Sequence, residues 1–234
     1  MGQAETKPIS VAVDAATRVS GLVTQGSKTS ALYVFAPGAG AGITHSFMEE
    51  VAAGLAERDI ATLRYQFPYM ERGSGRPDPP PVCHATVRAA IEEAARLLPG
   101  VPLFAGGKSF GGRMTSQAQA SSPLPGVRGI IFLGFPLHLA KKPSDTRAAH
   151  LSDVRIPMLF LQGTRDELAD LTLLEPVTRK LGDLATLDKI EAADHGFHVL
   201  VRSGRTNAQV MNELLDKICS WIGAVRPSEA PSST

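Results

Sequence analysis

The chain predicts an α/β protein, a mostly parallel, doubly wound sheet flanked by helices. Three observations carry this. Short uninterrupted apolar runs recur, such as Ala31-Leu-Tyr-Val-Phe35 and Met158-Leu-Phe-Leu161. Runs of this kind mark strands covered on both faces. Longer stretches carry apolar residues at three- and four-residue spacing, as amphipathic helices do. The two kinds of stretch alternate along most of the chain, whose 234 residues suffice for one large core.

In chain order, Ile9 to Gly26 alternates weakly and reads as two short strands with a turn at Asp14 to Thr17. The strand Ala31–Phe35 then runs into the loop Ala36-Pro-Gly-Ala-Gly-Ala-Gly42. Ser46 is expected to cap the next helix, with Glu49 completing a capping box. His45 stands in that cap region, and Phe47, Met48, Val51 and Leu55 form one apolar face. Ile60 to Phe67 is the next strand, closed by Pro68-Tyr69. Arg72 to Pro81 is a Gly/Pro-rich loop, and Arg72 and Arg76 are read as solvated charges on it. Val82 to Leu98 is a helix stopped by Pro99-Gly100. A strand from Leu103 meets a glycine cluster and a helix running to about Ala120. Val127 to Phe135 and Met158 to Leu161 are strands joined by the connection Pro136 to Arg155. Leu173 to Leu181 is a helix, Ala185 to Ile190 the last strand, and Asn207 to Val225 a helix with a Val210–Leu214–Ile218–Trp221 stripe. A single domain is expected over residues 1–225, with a Pro/Ser-rich disordered tail over 226–234.

Composition narrows the function. Lys plus Arg is 24 and Asp plus Glu is 23, a net charge of +1. That balance gives no support for a nucleic-acid or membrane-surface partner. Cys83 and Cys219 match no metal spacing and are expected to stay reduced. The six histidines form no H-E-x-x-H pattern, so neither a metal nor another cofactor is expected. No apolar run is long enough to span a bilayer, and the start of the chain has no signal-peptide core. Gly2 with Thr6 fits a loose myristoylation pattern, read as chance because no basic cluster follows it. A cytoplasmic location is the expectation.

The chemistry gathers at Gly107-Lys108-Ser109-Phe110-Gly111. This is a G-x-S-x-G nucleophile elbow, a serine on a strained strand-to-helix turn that projects its hydroxyl clear of the sheet. Glycines two before and two after the serine let the turn close. The free N–H groups of the following helix stabilise negative charge near that hydroxyl. Gly-Lys-Ser also ends a phosphate loop, but the first glycine of that motif would fall on Pro102.

A serine hydroxyl needs a base, and the base needs an acid to hold its tautomer. In a doubly wound sheet such groups gather just past the strand ends. There the chain offers Ser109, then Gly163-Thr-Arg-Asp166, then Ala193-Asp-His195-Gly-Phe-His198. The order Ser, Asp, His is the one such an elbow requires. Asp166 is taken as the acid over Glu167 and Asp170, and His195 as the base over His198. An oxyanion would be held by the N–H of Phe110 and by an N–H of the glycine loop, with Ala39 first and Gly40 second. Phe67 and Tyr69 are read either as sheet packing or as a wall of the acyl pocket. Lys108 is read either as a stem packed on apolar surface or as a substrate contact.

These residues resemble the α/β-hydrolase superfamily, in particular its small, lid-poor dienelactone-hydrolase-like branch. The resemblance spans about Leu32 to Trp221. Ala36-Pro-Gly-Ala-Gly-Ala, Arg64-Tyr-Gln-Phe-Pro-Tyr-Met-Glu-Arg, Gly106-Gly-Lys-Ser-Phe-Gly-Gly-Arg and Leu161-Gln-Gly-Thr-Arg-Asp are similar to one subgroup. Its eukaryotic relatives include a testis-expressed protein and a subunit of the non-specific-lethal histone acetyltransferase complex. The resemblance implies an α/β-hydrolase fold without a large lid and a Ser109–His195–Asp166 triad. Pro37-Gly38 stand where many members have His-Gly. The expected activity is hydrolysis of a small or medium carboxylic ester, thioester or lactone through an acyl-enzyme. The alternative is an interaction protein that kept the fold without catalysis.

Overall fold

A computed structural model describes residues 4–225. Gly2 and the 226–234 tail, and so the expectations placed on them, lie outside these residues. The chain forms β1 (Glu5–Ala12), β2 (Arg18–Gln25), β3 (Ala31–Ala36), α1 (Ser46–Ala56), β4 (Ile60–Tyr65), α2 (Pro68–Glu71) and α3 (Pro80–Leu97). It continues through β5 (Leu103–Lys108), α4 (Phe110–Ser121), β6 (Val127–Leu133), β7 (Met158–Gly163), α5 (Leu171–Leu181), β8 (Ala185–Ile190) and α6 (Asn207–Ala224). The strands make one sheet in the order β1-β2-β4-β3-β5-β6-β7-β8. β3 through β8 pair in parallel, while β2 runs antiparallel to both β1 and β4. The expected mostly parallel α/β sheet is therefore present.

The apolar runs explain why the sheet is covered twice. Along β3, Leu32, Val34 and Ala36 join the core beneath α3, with Val87 and Ile91. Tyr33 and Phe35 point the other way, into the core formed with Val51 and Leu55 of α1 and with Leu214 and Ile218 of α6. A third core lies beneath α5, where Phe132, Phe160 and Leu174 meet. The connection from β6 to β7 holds only a short 3-10 helix, Thr146–Asp153, and no lid domain.

Several boundaries differ from expectation, each for a local reason. Ser46 does not cap α1. His45 does, in an extended conformation, and its Nδ1 accepts the Phe47 N–H at 3.3 Å. The imidazole reaches the second helical amide from one residue earlier, so Ser46 is already helical and no capping box forms. α3 begins at Pro80 rather than Val82. Proline suits the first helical position because its missing N–H has no partner there. α5 likewise begins two residues early, capped by Asp170, whose Oδ1 accepts the Thr172 N–H at 2.8 Å. β4 stops at Tyr65, because Pro68 opens α2 instead of merely ending a strand.

Candidate active site

Ser109 joins β5 to α4 with φ 50° and ψ −115°, a left-handed backbone that costs a non-glycine residue strain. Its N–H donates to the Leu133 carbonyl at 3.1 Å, and its carbonyl accepts the Arg113 N–H at 3.2 Å. The turn is too tight for side chains on either flank. A Cβ at position 107 would stand 2.5 Å from the Ala36 carbonyl oxygen and 2.8 Å from the Gly112 nitrogen. One at position 111 would stand 2.5 Å from the Pro37 carbonyl oxygen. Phe110 is the first residue of α4, so its N–H has no carbonyl one turn back to bond.

The strand ends bring three side chains into line. His195 Nε2 lies 2.8 Å from Ser109 Oγ, and its Nδ1 lies 2.7 Å from Asp166 Oδ2. A carboxylate only accepts, so Nδ1 carries the proton and Nε2 is left to accept from the serine hydroxyl. The Asp166 side chain is wholly buried, while His195 is a quarter exposed, at 25%. Asp166 also accepts from the Leu168 N–H at 2.8 Å and from Gln162 Nε2.

The rival residues have other work. Asp170 caps α5. Asp194 accepts the N–H groups of Gly196 and His198 at 2.8 and 2.9 Å and so shapes the turn that carries His195. The His198 side chain is 69% exposed.

Beside Ser109 opens a cavity of about 470 Å³. The glycine loop Gly38-Ala39-Gly40-Ala41 forms one wall, and Phe47, Met48, Leu168, Phe197 and Met211 supply most of its apolar surface. Lys108 and His195 line it too, with His45, Glu50, His198 and Asn207 as polar groups. A wider groove of about 760 Å³ runs along α6. Its charges are tied to neighbours, Asp216 to Arg58, Lys217 to Asp188 and Glu213 to Arg205, and no histidine stands beside its one serine, Ser220.

Ala39, Gly40 and Lys108 line the cavity, but Phe67 and Tyr69 do not. Both are buried, which corrects their reading as an acyl-pocket wall. Because α2 begins at Pro68, their rings turn inward and stack 6.2 Å apart. Each packs edge-on against Phe110, Phe67 at 5.5 Å and Tyr69 at 6.4 Å. The Tyr69 hydroxyl donates to the Ala39 carbonyl at 2.8 Å. The two aromatics therefore brace both segments that carry the candidate oxyanion donors.

Lys108 is partly exposed as a residue, yet its ammonium is enclosed. It donates to the His195 carbonyl and lies 5.0 Å from the Phe197 ring centre and 5.6 Å from that of Phe47. Burial pushes its pKa down to about 8, against the opposing pull of the Asp166 and Asp194 charges. Burial, and then the Asp78 charge, pushes the Cys83 thiol up to about 12, which makes it a poor nucleophile. No cluster of three potential metal-ligating side chains occurs among the described residues.

Sequence reasoning missed two supports of the acid. Gln162 is fully buried and bridges Asp166 to the Phe135 N–H, which it accepts at 2.9 Å. A lone glutamine in the apolar run Met158-Leu-Phe-Leu-Gln was the available signal. The His138 ring Nε2 accepts the Asp170 N–H at 2.8 Å, and the His138 backbone N–H donates to the Leu168 carbonyl at 2.9 Å, fixing the acid loop. Nothing local in the sequence marked it.

Comparison with known proteins agrees with this architecture. A family model described as an alpha/beta hydrolase domain matches residues 29–223. The fold is similar to that of a dienelactone hydrolase from Anabaena variabilis, at 18% identity and a TM-score of 0.75, over 96% of this chain and 100% of that one. It is also similar to XC6422 from Xanthomonas campestris, described as an a/b serine hydrolase without lid. There the identity is 19% and the TM-score 0.71, over 98% and 97% of the two chains. An esterase domain from a Rhodothermus marinus protein matches at 13% identity and a TM-score of 0.70, over 93% and 97%.

Proposed function

We propose that this chain, which belongs to the α/β-hydrolase family, is a serine hydrolase that cleaves a small or medium carboxylic ester through an acyl-enzyme. The observation that carries the reading is the line Ser109 Oγ, His195 Nε2 and Nδ1, Asp166 Oδ2, with contacts of 2.8 and 2.7 Å on a strained elbow. Strain of about 1–3 kcal/mol at Ser109 suits a turn that presents its hydroxyl to the cavity.

In the proposed reaction, Ser109 Oγ attacks the ester carbonyl and its proton passes to His195 Nε2. The new Oγ–C bond leaves a negative oxygen, held by the Phe110 N–H and by an N–H of the glycine loop at Ala39 or Gly40. The C–O bond to the leaving alkoxide then breaks as His195 returns the proton to it. Water repeats the sequence: His195 takes its proton, hydroxide attacks the acyl carbon, and Ser109 leaves with the proton. Asp166, bonded to Nδ1, holds the imidazole in place and stabilises the imidazolium.

The mostly apolar cavity of about 470 Å³ and the absence of a lid between β6 and β7 favour compact esters over long-chain lipids. Thioesters and lactones would use the same parts. A series of p-nitrophenyl esters of increasing chain length tests the reading. A burst of nitrophenol equal to the enzyme present, with short and medium chains preferred and no activity in Ser109→Ala, is expected. Turnover that survives Ser109→Ala would sink it.

A further inference from the structure

Lys108 holds the variable position of the elbow, yet its ammonium is directed away from the hydroxyl next door and toward the loop that carries His195. That loop closes on Asp194, whose N–H donates to the His198 carbonyl and whose carbonyl accepts the Phe197 N–H, both at 3.0 Å. Phe197 has φ 63°, a strained value for a non-glycine residue, so tertiary contacts must fix it. Among the described residues no backbone N–H donates to the His195 carbonyl; its one recorded donor is Lys108 Nζ. The two rings nearest the ammonium come from two elements, Phe47 from α1 and Phe197 from the loop, and they stack on each other at 5.8 Å. Ammonium and imidazole also share one small space over Gly134. A Cβ there would stand 3.1 Å from Lys108 Nζ and 3.3 Å from His195 Nδ1.

We infer that Lys108 is the positioning residue of His195: its ammonium, seated against the stacked pair Phe47 and Phe197, ties the His195 carbonyl to the strand that carries Ser109. The inference rests on the reading of His195 as the base. A single side chain thereby sets the distance between the elbow and the base loop. A cation suits the place because it donates to the carbonyl and is attracted to both ring faces at once. This role is proposed in place of the reading of Lys108 as a substrate contact.

The charge state matters. Groups facing the ammonium are Asp166 from the loop after β7 and Asp194, His195 and His198 from the base loop. His45 and Glu50 line the same cavity from the start of α1. Held at about 8, against about 10.5 for a free lysine, Lys108 binds fewer protons folded than unfolded between those values. Stability from this group therefore rises with pH across that window, and at pH 7 the charged form costs stability. Positioning, by contrast, weakens as pH rises through about 8 and the charge is lost.

The test compares wild type with Lys108→Met on two readouts. One is the rate at which a fluorophosphonate labels Ser109. The other is amide hydrogen exchange over residues 194–199, in a Ser109→Ala background. Lys108→Met is expected to melt no lower than wild type at pH 7, to label about 30- to 100-fold more slowly, and to exchange faster across the loop. It should also lack the loss of labelling that wild type shows above pH 8. Phe47→Leu, a milder change, should shift both readouts in the same direction if the methionine variant does not fold. Labelling at the wild-type rate would overturn the inference. So would slow labelling with unchanged exchange, because Lys108 would then act on the ligand directly. If wild type is not labelled at all, the serine-hydrolase reading fails instead, and the exchange readout alone decides the role of Lys108.

Discussion

Ser109 shows how much of the proposed chemistry rests on one strained dihedral pair. Ser109→Ala removes the hydroxyl but keeps φ near 50°, whereas Ser109→Gly also removes the strain. Glycine loses more entropy on folding, which offsets part of the gain. The net expectation is that Ser109→Gly is more stable than Ser109→Ala by about 1 kcal/mol, read from urea midpoints. Equal stability would mean that the turn stores no strain. Asp166→Asn should keep the fold but present the wrong histidine tautomer. Hydrolysis is expected to fall on the order of ten-thousandfold, measured as kcat/KM on the best ester. His150 gives a pH prediction away from the site. Its Nε2 lies 2.7 Å from Ser116 Oγ. Burial, aided by the Arg113 charge, lowers its pKa from 6.5 to about 4. Between those values the unfolded chain takes up a proton that the folded one refuses, so stability falls as pH drops from 6.5 toward 4. His150→Gln should remove on the order of 2 kcal/mol of that fall, seen in urea midpoints at pH 7 and pH 4.

The elements around the elbow divide the work between support and chemistry. Tyr69 and Phe67 leave the cavity to others and brace Phe110 and the glycine loop from behind. Tyr69→Phe keeps the ring stack and frees the Ala39 carbonyl. The expectation is a stability loss of about 1 kcal/mol and a fall in kcat of about tenfold or more with KM little changed, because only the oxyanion donors shift. A rise in KM alone would return Tyr69 to a substrate contact. The same residues mark where the sequence is legible and where it is not. β3 and β7 were readable because strands buried on both faces leave unbroken apolar runs. Tyr65-Gln-Phe67-Pro-Tyr69 misleads because its alternation mimics a strand, while Pro68 is equally at home as the first residue of a helix. The cap of α1 was misassigned because an imidazole competes with a serine one residue later, and local pattern does not say which reaches the amide first.

The whole sheet acts as the frame that assembles the candidate site. Ser109 follows β5, Asp166 follows β7, His195 follows β8 and the glycine loop follows β3, all at the carboxyl ends of the parallel strands. That clustering follows from parallel strands, which is why the residue types could be chosen from strand ends alone. Contacts between distant segments were not readable. Lys108 meets a residue 87 positions away, and His138 reaches the acid loop from 32 positions away. Because the frame is shared, core damage should act on the molecule as one unit. Phe35→Ala, in a fully buried strand, should cost about 3–5 kcal/mol. That is a large part of a typical folding stability, and it should appear as one shifted cooperative transition in urea. The proposal of an activated serine is tested most directly by intact-mass and peptide analysis after fluorophosphonate treatment of wild type, Ser109→Ala and His195→Ala. One adduct on Ser109, absent from Ser109→Ala and greatly slowed in His195→Ala, is the predicted result. A folded wild-type protein that takes up no adduct, or takes it up elsewhere, would contradict the account.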